Sequence, residues 1–337
     1  MIKADLYRQY RTLLAEGIIP FWLTHGVDKE YGGVLSCMQE DGAVLSDDKY
    51  VWSQARFVWT LAALYNRFEA RPEFLVRSRS AIDFLVANAR DVNGAYRLAR
   101  DGRVLEGPIS IYSDCFVVYG ISEYCRAMPD ERLLKLARET FKIICRRVEE
   151  PDFHETAPYQ LLPDRRNHGV PMILTEVANE LAQTTGDPDV ESAADEYASR
   201  VMNRFVRPER KLLLEFLTRN YEELPPHEGT FVMPGHAIES MWFVLHWAHR
   251  RGDREMIRRA SEVMRWHLEV AGMRSLRSVP WHRRQAEHRS CRIPTKSSGG
   301  RIRRRSGLLL AHELTGQAWC SEWYQRVHDW SRSFSNA

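Results

Sequence analysis

Apolar residues recur every three to four positions along most of this 337-residue chain, and that period is the signature of amphipathic helices. Val51, Ala55, Val58, Trp59 and Ala62 form one stripe; Ile238, Met241, Trp242, Leu245 and Ala248 form another. Similar stripes predict helices over roughly 4–23, 73–90, 111–128, 130–149, 168–186, 188–206, 253–271 and 307–334. Strand-like alternation is short and confined to the neighbourhoods of 33–45 and 96–105.

Two recurrences suggest how the helices are organised. Asp41-Gly42-Ala43-Val44-Leu45 is matched further along by Asp101-Gly102-Arg103-Val104-Leu105. Thr185-Gly186-Asp187, Arg251-Gly252-Asp253 and Thr315-Gly316-Gln317 follow one another at nearly equal spacings. Each Gly stands where one helix stops and another begins, the position that favours positive φ. Arg71-Pro72-Glu73 and Met128-Pro129-Asp130 divide helices with Pro instead. A repeated helical hairpin of about 60 residues is longer than the repeats of open solenoids. It fits a closed α/α toroid better, and coincidence among Gly-terminated helices is the plain alternative.

Wheels at 100° per residue place His236, Glu239 and Phe243 opposite the Leu245-centred stripe, and Trp52 and Arg56 opposite Val51, Val58 and Ala62. Such a face either lines a pocket or meets water. Three segments could carry chemistry. In Tyr50-Val51-Trp52-Ser53-Gln54-Ala55-Arg56, an Arg among aromatics can stabilise an oxyanion while rings stack on a sugar; it can also simply cover apolar surface with its stem. In Met233-Pro234-Gly235-His236-Ala237-Ile238-Glu239, His236 and Glu239 are three apart and can meet or converge on a ligand; a structural pair is the alternative. In Asn167-His168-Gly169-Val170-Pro171-Met172, His168 is a base, a ligand contact or a neighbour of a helix cap. No phosphate loop, dinucleotide fingerprint or HExxH is present, and no spacing announces a metal site.

Taken together, the chain resembles the N-acylglucosamine 2-epimerase family, which includes cellobiose 2-epimerases and aldose–ketose isomerases. The resemblance rests on Asp28-Lys29-Glu30-Tyr31-Gly32-Gly33, Trp52-Ser53-Gln54-Ala55-Arg56-Phe57-Val58-Trp59 and Val170-Pro171-Met172-Ile173-Leu174. It continues in Pro234-Gly235-His236-Ala237-Ile238-Glu239 and Trp323-Tyr324-Gln325-Arg326-Val327-His328-Asp329-Trp330, in the family's order. It implies one all-α domain over 1–337, an (α/α)6 barrel whose last hairpins are disrupted or incomplete. It also implies epimerisation of a reducing sugar through an enediolate, with no metal and no cofactor. His236 would be an acid–base group, Glu239 would orient or tune it, and Arg56 would stabilise the enediolate. Tyr50, Trp52, Gln54, Asp114, His168, Met172 and Phe243 would bind the sugar. N-acylglucosamine is the sugar suggested by the Pro-Met and Pro-Gly-His forms of the motifs.

The formal net charge of +3 conceals an anomaly. The segment from Arg274 to Arg305 holds ten Arg and one Lys against one acid, leaving 37 basic against 44 acidic side chains, a net of −7, in the rest of the chain. Few of its side chains are hydrophobic, against 44% overall, so the segment is poor material for a buried helix face. Two family signatures belong in this region, Trp-Asp-x-Glu-x-Gly-Gly and Trp-Trp-x-His-x-Glu, the second supplying another acid–base His. Neither is present. Codons for Trp-Trp-Pro-His-Thr-Glu, read one base late, give Gly-Gly-Arg-Ile-Arg-Arg, the sequence of Gly299 to Arg304. Codons for Trp-Asp-Glu-Glu-Phe, shifted likewise, give Gly-Met-Arg-Ser-Leu, the sequence of Gly272 to Leu276. Residues 272–306 are therefore expected to be frameshifted and poorly ordered, and the activity impaired. A genuine basic loop for an anion or nucleic acid is the competing reading.

The remaining expectations are those of a soluble cytoplasmic enzyme. No signal peptide is visible after Met1 and no apolar run could span a membrane. Six cysteines without a CxxC pair read as reduced thiols. The expected partner is a sugar, with neither nucleic acid nor membrane, and a homodimer is the oligomer considered. Two other classes stay open: a non-catalytic sugar- or protein-binding toroid, and a toroidal glycoside hydrolase. The latter needs two carboxylates flanking the bond, which His236 and Glu239 do not supply.

Overall fold

The computed structural model describes residues 2–89, 95–154, 161–229, 231–273 and 298–332. Eleven helices carry the described fold: α1 (Ile2–Thr12), α2 (Val51–Arg67), α3 (Pro72–Asn88), α4 (Tyr112–Ala127), α5 (Glu131–Arg147), α6 (Gly169–Thr185), α7 (Pro188–Arg200), α8 (Pro234–Arg251), α9 (Arg254–Met273), α10 (Ser298–Thr315) and α11 (Ala318–Arg332). Shorter helical turns lie between them. Strands among the described residues are two or three residues long and form antiparallel sets of two or three. The chain divides into two compact units, residues 1–145 and 146–337.

In the first unit α2 packs against α3 and α4. Most of the predicted stripe lies in its core: Val51, Ala55, Val58 and Ala62 are buried, together with Leu61, whereas Trp59 is only half-buried. At Gly120 the α4 backbone comes so close that a Cβ would lie 2.7 Å from the Ala55 carbonyl oxygen, so only Gly allows this approach. The repeated pentapeptides form matching hairpins. β1 (Cys37–Met38) pairs with β2 (Val44–Ser46), and β4 (Arg97–Leu98) with β5 (Val104–Glu106). In each, an Asp side chain, Asp41 or Asp101, accepts the N–H two residues on. β3 (Lys49–Tyr50) joins the second hairpin and leads directly into α2.

A buried charge cluster locks these turns together. Lys49 Nζ is fully buried, 2.9 Å from Asp28 Oδ2, and donates to the carbonyls of Gly32 and Arg100. Arg100 donates to both oxygens of Asp28. Burial pushes the Asp28 carboxyl up, but hydrogen bonds from Arg100 and Lys49 outweigh it and hold the group well below the usual carboxylate range.

In the second unit α6 packs on α7 and α8, α8 on α9 and α10, and α10 on α11. The three predicted helix-ending glycines, Gly186, Gly252 and Gly316, have φ of 64°, 69° and 67°. Two pairings lie outside the sequence expectations. β6 (Arg165–Asn167) runs antiparallel to β9 (Phe216–Thr218), and β7 (Val206–Arg207) to β8 (Leu212–Leu213). These strands are too short for a period-2 pattern to stand out.

Residues 274–297 of the Arg-rich segment lie outside the described residues. α10 begins at Ser298, earlier than the helix expected from 307, and so takes in the last part of that segment. Cys115, Cys125, Cys145 and Cys320 are free thiols.

Asp28→Asn is expected to destabilise the protein by about 3–5 kcal/mol, because it leaves the Lys49 ammonium buried without its counter-charge. Urea unfolding at neutral pH measures this. The wild-type contribution of Asp28 is present above the ordinary carboxylate pKa of 3.8 and fades as pH falls below it. The gap between the two proteins should narrow accordingly in acid.

Candidate active site

In the second unit, the β6–β9 ladder builds the site. It pairs Asn167 with Phe216 and brings the next residue, His168, beside Glu215. The His168 N–H donates to the Glu215 carbonyl at 3.1 Å, and the Glu215 N–H to that of Phe231 at 3.2 Å. His168 occupies the N-cap position of α6. α8 starts with Pro234 in its first turn, and the same turn carries His236. Two helix N-termini thus meet near one carboxylate, where the helix dipole favours negative charge.

The Glu215 side chain is completely buried. Its Oε1 lies 3.0 Å from His236 Nδ1 and accepts a hydrogen bond from Asn167 Nδ2, also at 3.0 Å. Its Oε2 lies 3.1 Å from Nδ1 of the fully buried His168. The two imidazole rings stand nearly perpendicular, with centroids 5.4 Å apart. Burial raises the Glu215 pKa, but the charges and hydrogen bonds of His168 and His236 outweigh it and hold the carboxyl far below its ordinary value. His168, Glu215 and His236 each offer a donor atom of the kind that binds cations, all within 4.8 Å of one another. The carboxylate already bridges the two Nδ1 atoms at ion-pair and hydrogen-bond lengths, which suits the holding of protons.

His267 on α9 supports the site from behind. Its Nε2 accepts the Leu213 N–H at 2.8 Å. Burial pushes its pKa down to about 4, helped by the charge of His168, so it stays neutral over the physiological range.

The His236 face of α8, which wheel geometry alone assigns to either pocket or solvent, is not a solvent face. Glu239 and Phe243 are buried, and the His236 side chain is only 15% exposed. Met172 on α6 is buried as well.

The first unit holds the other predicted residues. The Arg56 guanidinium lies over the Phe116 ring at 4.1 Å and near the Trp52 ring at 5.8 Å. Tyr50 and Trp52 each meet Tyr96 edge-on at 5.7 Å, an arrangement set by β3 and β4. Asp114 is buried in the first turn of α4. Gln54, grouped with the sugar-binding residues by resemblance, has another employment. Its amide accepts the Val34 N–H at 2.7 Å and donates to the Val34 carbonyl at 2.6 Å in a fully buried clasp. Both polar ends are committed to backbone.

Sequence reasoning missed Glu215. The signal was present: one acid inside the run Leu212-Leu213-Leu214-Glu215-Phe216-Leu217, where a charge is rarely buried unless it is paired.

The N-acylglucosamine 2-epimerase family model matches residues 32–337. The chain belongs to this family. It is 33% identical to the N-acylglucosamine 2-epimerase of Bos taurus over 252 residues, which is 71% of this chain and 58% of the relative. It is 31% identical to that of Homo sapiens over 275 residues, 75% of this chain and 64% of the relative. The match thus spans about three-fifths of these relatives' length. Among solved structures, the cellobiose 2-epimerase of Bacillus thermoamylovorans B4167 superposes with a TM-score of 0.79 at 16% identity, covering 98% of this chain and 88% of that one. This likeness shows the fold, all-α and of the (α/α)6 class. No described helix is long and apolar enough to cross a membrane.

His267→Gln can keep an acceptor for the Leu213 N–H while removing the titrating ring. In the wild type, the neutral ring's contribution is complete above its ordinary pKa of 6.5 and is lost as pH falls towards 4. Thermal midpoints measured over that window should therefore decline less steeply in the variant. His267→Ala leaves the buried N–H unpaired and should cost about 1–3 kcal/mol at neutral pH.

Proposed function

We propose that this chain is built as a sugar 2-epimerase that interconverts N-acylglucosamine and N-acylmannosamine, and that its activity is impaired. The observation that supports this best is His236, held at Nδ1 against a buried, ionised carboxylate. A neutral imidazole fixed in this way is a proton acceptor suited to neutral pH. The sugar reacts as its open-chain aldehyde, in which the C2–H is acidified by the adjacent carbonyl. His236 takes that proton, the C2–H electron pair moves into the C1–C2 bond, and charge collects on O1 as an enolate. Return of a proton to the other face of C2 gives the epimer.

Arg56 takes the role of the cation that stabilises the enolate. Its aromatic neighbours strengthen the case, because a guanidinium on rings is weakly hydrated and can give its N–H groups to an anion. Glu239, one turn beyond His236 on α8, tunes that histidine. Trp52, Tyr50, Asp114, Met172, Phe243 and His168 remain the proposed sugar-binding set. N-acylglucosamine is preferred to cellobiose or mannose as substrate because the site motifs have the Pro-Met and Pro-Gly-His forms.

The impairment follows from the Arg-rich segment. With Trp-Trp-x-His-x-Glu absent from the reading frame, the second acid–base histidine is missing, and loss of one such group costs about 10²–10⁴-fold. A single-base shift through 272–306, corrected before Gly307, accounts for the loss and for the charge anomaly together.

Incubation of the purified protein with N-acetylmannosamine in D₂O, followed by NMR, tests the proposal directly. Deuterium should enter C2 slowly with the wild type, not at all with His236→Asn, and about 10²-fold more slowly again with Arg56→Ala. Sugar binding without C2 exchange would point to a non-catalytic toroid. Exchange at about 1 s⁻¹ or faster, the ordinary range of enzymes, would refute the impairment. The gene sequence across 272–306 should encode Trp-Trp-x-His-x-Glu in a neighbouring frame, and repairing the frame should restore fast exchange.

A further inference from the structure

Glu215 lies outside every motif that carries the family resemblance, yet its carboxylate lies 3.0 Å from Nδ1 of the proposed acid–base histidine. We infer that Glu215 is the positioning residue of the acid–base histidine: it keeps the proton on His236 Nδ1 and leaves Nε2 to exchange protons with the sugar. The second half of that statement rests on the proposed epimerase activity; the first half does not.

An ionised carboxylate can only accept hydrogen bonds. At 3.0 Å from Glu215 Oε1, His236 Nδ1 must therefore carry the hydrogen, and Nε2 holds the lone pair. Glu215 cannot swing away from this contact. Asn167 Nδ2 donates to the same oxygen, the backbone is tied to His168 and Phe231, and the β6–β9 ladder fixes the segment on its C-terminal side. The carboxylate remains ionised because two imidazoles flank it, at 3.0 and 3.1 Å. A proton taken by His236 meets the negative charge of the Glu215 carboxylate 3.0 Å away. The imidazolium formed during proton abstraction is thus compensated where it arises.

The other charged or titrating groups near the trio come from known elements. His168 belongs to the start of α6, His267 to α9, and Glu239 to α8 itself. His267 is held neutral by burial, so it adds no competing positive charge. Without Glu215, the His236 ring would lose both its fixed tautomer and its counter-charge.

Two measurements test this on the full-length protein. The first uses protein labelled with ¹⁵N-histidine, with the His236 signals assigned by their loss in His236→Asn. Proton–nitrogen correlation spectra at neutral pH should show the hydrogen of His236 on Nδ1. A proton on Nε2 instead overturns the inference. The second uses Glu215→Gln and Glu215→Asp with C2 exchange in D₂O as the readout. In Glu215→Gln the maximal rate should fall about 10²-fold with little change in the sugar concentration giving half-maximal rate. The acid limb of its pH profile should move to lower pH by about one unit or more, because the counter-charge is gone. Glu215→Asp, which keeps the carboxylate, should restore the limb. A fall in rate with the limb unmoved indicates a merely structural role and overturns the inference. If Glu215→Gln does not fold, or if the wild type shows no exchange, the wild-type tautomer alone decides; absence of exchange counts only against the proposed activity.

Discussion

A carboxylate removed completely from water is tolerated only where its charge is answered and its lone pairs are filled. Glu215 meets both conditions, and much of the second unit's local geometry follows from the way it does so. Its side chain sits between two imidazoles and accepts from an amide, while its backbone is tied to His168 and Phe231. Those partners come from the end of a strand and the beginnings of two helices. The short β6–β9 ladder, the Pro-initiated turn of α8 and the capping position of α6 therefore have a common consequence. Each delivers a group with a hydrogen or partial positive charge to one buried anion. His267, by taking the Leu213 N–H, secures the adjacent strand to α9 without bringing in a second charge.

The first unit uses the same physics for a structural end. Lys49 is buried with three acceptors around its ammonium, one of them the charged Asp28. The cluster ties the Asp28–Gly33 turn, the second hairpin and the strand leading into α2. That strand in turn orients Tyr50 and Trp52 against Tyr96. Buried charge pairs at turns give each unit a rigid base, and the residues proposed for chemistry sit on helices that start from those bases: Arg56 on α2 and His236 on α8.

The helical skeleton is legible in the sequence because burial of one face imposes a 3.6-residue period over long segments. The glycines at 186, 252 and 316 are legible for a similar reason: positive φ at a helix end selects Gly. The duplicated Asp-Gly hairpins can be read from a local side-chain-to-backbone bond. Contacts between strands too short to show a pattern cannot be read this way, and neither can the meeting of Glu215 with His168 and His236. Gln54 shows the same limit from the other side. Its place in a family motif suggests sugar binding, and only the fold reveals that both ends of its amide are committed to Val34.

The sequence by itself determined the helical class, most helix boundaries, the family resemblance and the acidic body hidden beneath a near-neutral net charge, since all of these depend on local pattern and composition. Tertiary structure decided which face of α8 avoids water and which carboxylate meets His236. Those outcomes depend on segments far apart in the chain being brought within hydrogen-bond reach. A hydrogen bond needs its partners at about 3 Å, and no local period encodes that distance.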